Sequence, residues 1–139
     1  MAHVLSPLLT FAWIGAIFSF STQTGTESAA LSRGVLDLLG LDPEVFHTPV
    51  RKAAHMAMYF VLAALFVDML MHHHIARPAC YAVVLAILIA TLDETVQHFI
   101  PGRVGALMDV MIDTAGAVVG ATVMFTLKQH ITPPLHSML

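Results

Sequence analysis

The sequence predicts an all-α integral membrane protein with four transmembrane helices and a further helix between the first and second. Three observations carry that prediction. The 139 residues are 58% hydrophobic and 11% charged, where soluble domains hold roughly 45–50% and 25%. A soluble fold of this length has no interior large enough for so much apolar side chain. The apolar residues also fall into four runs, each near the roughly 20 residues a helix needs to cross a bilayer. Within lipid the backbone must satisfy its own polar groups, which makes each run a helix.

The first run covers residues 4–20. No Lys or Arg precedes it and no clear small-x-small site follows, so it reads as a retained span and not a cleaved leader. Residues 21–52 form a long connection. Within it, 27–39 mixes Ala29, Ala30, Leu31, Val35, Leu36, Leu38 and Leu39 with Ser28, Ser32, Arg33 and Asp37. Glu27 or Ser28 can start a helix there and Gly40 can end it. The expectation is an interfacial or re-entrant helix, against the alternative of a solvated loop.

Residues 53–71 and 79–99 are the second and third spans, and 107–127 the fourth. The connections 72–78 and 100–106 are short, so the helices they join are antiparallel neighbours. Gly116 and Gly120 stand four apart, a spacing for close helix approach and a seam at which two copies of the chain would meet. Pro133 and Pro134 close the tail, and the whole of 1–139 is read as one domain. Trp13 and the phenylalanines are expected on the bundle surface, and the lone Cys80 as a packed thiol.

Four acids sit where a membrane protein tolerates them least: Asp93 and Glu94 near the end of the third run, Asp109 and Asp113 near the start of the fourth. Each ionised Asp in a span costs roughly 2.5–3.5 kcal/mol on the insertion scale. Alternating spans bring these ends to one membrane face, together with Ser21 and Gln23 from the first and Arg51, Lys52, His55 and Tyr59 from the second. The other face is expected to hold only His72, His73, His74, Arg77, Lys128 and the tail. At about 1.5 Å rise per residue, Tyr59, Asp93 or Glu94, and Asp113 reach a common level, with His55, Gln97 and Asp109 above them. Lys52, His55 and Tyr59 step by three and four, as do Asp93 and Gln97, and Asp109 and Asp113. Three such stripes turned inward make a polar cavity.

In that cavity Asp93, Glu94 and Asp113 would supply acid and base, with His55 as a proton relay. Lys52 and Arg103, with Arg51, would hold an anionic group. Gln97, Tyr59, Asp109, Ser21 and Gln23 would orient the ligand. The alternative is a structural ion-pair network joining the helices. No cofactor is expected. The donor types would accept a divalent cation, but no metal-binding spacing occurs. A formal charge of −3 gives no nucleic-acid footprint. No activated Ser or Cys nucleophile is evident.

These residues resemble the VanZ-like family of small bacterial membrane proteins. The likeness runs through Phe18–Gly25, Ser28 and Ser32, then Lys52, His55 and Tyr59, and is most specific in Asp93-Glu94-Thr95-Val96-Gln97 leading to Pro101-Gly102-Arg103, Asp109 and Asp113. Two positions depart from it: Met58 stands where the family often has an acid, and Asp113 where it often has Asn. The resemblance implies a multi-pass protein of the bacterial cytoplasmic membrane acting at the cell envelope, with termini in the cytoplasm and the cavity outside. The family's namesake is associated with teicoplanin-type glycopeptide resistance. Two functions stay open: acid/base hydrolysis or transfer on an amphipathic anionic lipid or lipid-linked precursor, or non-catalytic binding in support of an envelope enzyme.

Overall fold

The structure is a computed structural model describing residues 2–103 and 105–131. The expected tail closure at Pro133 and Pro134 lies outside them. Five helices follow in order: α1 (Ala2–Ser21), α2 (Gly25–Leu39), α3 (Pro43–His72), α4 (Pro78–His98) and α5 (Leu107–Ile131). The described residues contain no strand. All but α2 are long and apolar enough to cross a membrane.

The helix between the first two spans is built by its own caps. Thr24 accepts the Glu27 backbone N–H at 3.3 Å, and the Glu27 carboxylate accepts the Thr24 N–H at 2.8 Å, a closed capping box. At the other end Gly40 adopts φ +65°, and Gly40 and Leu41 donate back to Asp37 and Leu36. That is the Schellman stop that glycine permits.

The second span begins earlier than hydropathy indicates. Residues 43–52 are helical too. Asp42 accepts the Glu44 N–H at 2.9 Å and Pro43 takes the first turn, where its missing N–H has no consequence. The resulting 30-residue helix is about 45 Å long, half again the hydrocarbon thickness.

α3 touches every other helix. Its inner stripe runs from His55 through Tyr59 to Leu62, Ala63, Phe66 and Val67. On α4 the buried stripe is Ala82, Ala86 and Ala90, then Asp93, Glu94 and Gln97. On α5 it is Asp109 and Asp113, then Gly116, Ala117, Gly120 and Ala121. Each stripe is apolar or small at one end and polar at the other. The small residues draw the helices together, so the polar ends are held close. Gly116 and Gly120 seat directly on the Met56 and Phe60 carbonyls of α3, where an added Cβ would collide with backbone. In this chain their close approach is made to α3.

Three expectations are corrected. Phe66 is core, and Trp13 is half-buried with its indole N–H donating to the Met58 carbonyl at 2.9 Å. Cys80 is exposed on the outside of α4, because the inner face there belongs to Ala82 and Ala86. The far end of the bundle also holds an acid missing from the expected set. Asp68 accepts from Ser6 at 2.6 Å and pairs with Lys128 at 2.5 Å and His72 at 3.5 Å, tying α1, α3 and α5.

Candidate functional site

The polar ends meet at the level of the 99–106 connection. Ile100-Pro101-Gly102-Arg103 closes a turn, with Arg103 N–H donating to the Ile100 carbonyl at 3.1 Å. Pro at the second position and Gly at φ +75° at the third make it a type II turn. Gly25 N–H donates to the Pro101 carbonyl at 3.1 Å, and a Cβ on Gly25 would strike the Gly102 backbone. The Thr24-Gly25 corner and the Pro-Gly-Arg turn are thus one interlocked unit. Arg103 completes it by donating to the Phe20 and Ser21 carbonyls, both at 3.0 Å, the C-terminal carbonyls that α1 leaves open. Burial and the neighbouring Arg51 pull Arg103 below the ordinary arginine value, yet it remains a cation at neutral pH.

Beside this unit lies a cavity of about 260 Å³. α2 forms one wall with Ser28, Leu31, Ser32 and Val35, residues at helical spacing on one face. α3 contributes Val50, Arg51, Ala54, His55, Met58 and Tyr59, and the end of α1 contributes Ile17, Phe20 and Ser21, with Gln23 following. Asp93 and Arg103 complete it. The lining divides by chemistry: Arg51, Arg103, His55, Asp93, Ser21 and Gln23 offer charge and hydrogen bonds, while Phe20, Leu31, Val35, Val50 and Met58 offer hydrocarbon.

Under the cavity the carboxylates are closely gathered. His55, Asp93, Glu94 and Asp113 each offer one ligand atom, and these atoms all lie within 4.8 Å of one another. Asp113 is fully buried, and its Oδ1 stands 3.6 Å from His55 Nδ1. Gln97 donates to Asp93 at 3.0 Å and fixes its rotamer. Glu94 points differently, as the 100° between adjacent residues requires: it accepts the Ala106 N–H at 2.8 Å and so anchors the start of α5. Asp109 pairs with Arg51 at 3.5 Å. Ser21 is buried and donates back to the Ile17 carbonyl at 3.0 Å.

The expected residues are therefore brought together, with a change of cation. Arg51, not Lys52, shares the inner stripe with His55 and Tyr59. Lys52 does not line the cavity and forms no ion pair among the described residues. Glu94, Gln97, Asp109 and Asp113 lie behind the lining, and only His55, Asp93 and the two arginines present charge or titratable nitrogen and oxygen to it, beside the Tyr59 phenol. The α2 residues Leu31 and Val35 went unassigned in the sequence, although their spacing to Ser28 and Ser32 marks one face.

No curated protein and no solved structure matches this sequence. The VanZ/LLP1 family model matches residues 7–128, from within α1 to near the end of α5 and across every site residue above. With that match over most of its length, the chain belongs to the VanZ/LLP1 family.

Proposed function

We propose that the cavity takes the head group and adjoining hydrocarbon of an amphipathic anionic envelope lipid or lipid-linked precursor. One observation carries this: two arginines, a histidine and a carboxylate share a 260 Å³ cavity with Phe20, Leu31, Val35, Val50 and Met58. An anion finds donors at Arg51 and Arg103, and a chain finds an apolar wall. On this reading α2 lies in the membrane interface, with its exposed Leu38 and Leu39 in lipid. His55 and Asp93 are the groups placed to move a proton at a bound head group, with Asp113 orienting His55. The reaction class is hydrolysis or transfer at the head group.

Purified protein incubated with bacterial lipid extract and read by mass spectrometry tests this. Retained anionic lipid and a product lost in Asp93→Asn and His55→Gln are expected. Retention of no lipid overturns it. A second reading is supported by a specific observation: Glu94 and Arg103 already bond to backbone, which leaves fewer groups for chemistry. It is non-catalytic holding of the same lipid for an envelope enzyme, and retention without product is its signature.

We place the cavity at the outer face of the cytoplasmic membrane with both termini inside. Cysteine labelling in intact cells checks this: Asp42→Cys should label and His74→Cys should not. A link to glycopeptide resistance would run through the surface lipid or precursor held here. Teicoplanin susceptibility of cells carrying the wild-type or Asp93→Asn chain measures it.

A further inference from the structure

We propose that His55, Asp93, Glu94 and Asp113 bind one divalent cation of the manganese or zinc kind beneath the cavity. The inference stands on these four side chains and does not rest on the lipid reading; an ion here would take the lone pairs that the acid/base role of His55 and Asp93 uses, so the two roles are alternatives.

The first observation is geometric. One imidazole nitrogen and three carboxylate oxygens, from three helices, lie within 4.8 Å of one another. Donors sharing one ion through bonds of about 2.0–2.2 Å stand about 3–4.4 Å apart. Only donors across the ion reach about 4.4 Å, so a six-coordinate ion needs the widest pair to close by a few tenths of an ångström, whereas a tetrahedral zinc needs it to close by roughly 1–1.5 Å.

The second observation is what these groups lack. Asp113 is fully buried, neither of its carboxylate oxygens has a partner within hydrogen-bond distance among the described residues, and its one ion-pair partner there is His55 Nδ1 at 3.6 Å. Asp93 Oδ1 and Glu94 Oε1 are also buried without partners, on side chains 1% and 6% exposed. Buried carboxylate oxygens in native proteins are otherwise almost always satisfied. The two arginines that line the cavity are engaged elsewhere, since Arg51 pairs with Asp109 and Arg103 donates to the Phe20 and Ser21 carbonyls, and Lys52 does not line it. Three acids with one histidine leave a negative excess inside a helix bundle, where unpaired charge is most costly.

The remaining contacts read as a supporting shell. Gln97 holds Asp93, and the Ala106 N–H holds the second oxygen of Glu94. Such outer bonds orient ligands. Three hard oxygens with one imidazole suit manganese or zinc better than calcium, which prefers oxygen alone. His55 and Asp93 also line the cavity, so the ion would sit at its floor and present a coordination position to an anion above.

The test uses the full chain in detergent, stripped with EDTA, and adds Mn²⁺ alone or Zn²⁺ alone. Bound Mn²⁺ is read by the loss of its free paramagnetic signal, and bound Zn²⁺ by equilibrium dialysis with elemental analysis. One ion per chain is expected, with affinity falling at least about tenfold in Asp113→Asn and in His55→Gln. Asp37→Asn, on the exposed face of α2, should bind as the wild type does. The wild-type melting temperature should rise with the ion, and that rise should vanish in Asp113→Asn. If Asp113→Asn fails to fold, Glu94→Gln and the wild-type stoichiometry decide. A wild type that retains no ion, its acids sharing protons instead, overturns the proposal. So do variants that bind like the wild type. The titration contains no lipid, so its failure and a failure of lipid retention are separate results.

Discussion

His55 Nδ1 on α3 stands 3.6 Å from Asp113 Oδ1 on α5, and Asp113 is closed to solvent. This pair faces Asp93 and Glu94 across the bundle, so three carboxylates share one imidazole. With no ion bound, three carboxylates around one imidazole are costly inside the bundle. Asp113→Asn keeps the shape and removes one of the like charges. It should raise stability in EDTA by about 1–3 kcal/mol while weakening whatever the site binds. Thermal unfolding in micelles measures the first effect, and a melting point that falls in EDTA contradicts it.

The spacing between α3 and α5 is set farther along the same stripes. Gly120 rests on the Phe60 carbonyl, and a methyl group there would meet backbone that cannot rotate away. Gly120→Ala should cost about 1–3 kcal/mol through overpacking. Gly15 on α1 has nothing within 4 Å of an added Cβ. Gly15→Ala should be neutral or stabilise by under about 1 kcal/mol. Equal effects at the two positions in unfolding titrations would remove the seam from the account of how the polar ends are held together.

The α2 wall depends on its first turn. The Thr24 backbone N–H, then its hydroxyl, hold the Glu27 carboxyl below its ordinary value of 4.5. A group lowered in the folded state stabilises above its unfolded value and loses that effect as pH falls through the folded one. The box should therefore be intact at neutral pH and open progressively on acidification below 4.5. Hydrogen exchange at the first amides of α2 reads this directly. Glu27→Gln keeps the reach of the side chain and should flatten the pH dependence over that window.

Much of the site was legible because helical spacing is rigid. Asp93 with Gln97, and Asp109 with Asp113, can only share a face, and the depth count brought Tyr59, Asp93 or Glu94, and Asp113 to one level with His55, Gln97 and Asp109 above them. What was not legible is azimuth. Arg51 and Lys52 are neighbours that diverge by about 100°, and which one turns inward is fixed by the packing of Leu62, Ala63, Phe66 and Val67 about three to four turns away. Asp68 escaped for a similar reason. It is one acid in an apolar run, and its partners Ser6 and Lys128 are close only once three helices assemble. The early start of α3 was hidden because Pro43, Glu44, His47 and Pro49 lower hydropathy while the Asp42 cap still nucleates the helix.

The choice between Arg51 and Lys52 can be decided by experiment. Arg51 lines the cavity beside His55 and Tyr59, and its partner Asp109 is held only at 3.5 Å with the Arg51 side chain 28% exposed. A pair this loose contributes little to stability, about 0–1 kcal/mol. Arg51→Gln should therefore leave the fold intact and reduce retention of anionic lipid at least about tenfold, or about 1.4 kcal/mol. Lys52→Gln should change retention less than about twofold, since its charge lies outside the cavity and is screened. Asp109→Asn separates the two roles of Arg51. It frees the guanidinium without removing it, so retention should hold or rise. If Asp109→Asn instead reproduces the loss seen with Arg51→Gln, the arginine acts by joining α3 to α5 and not by meeting the ligand.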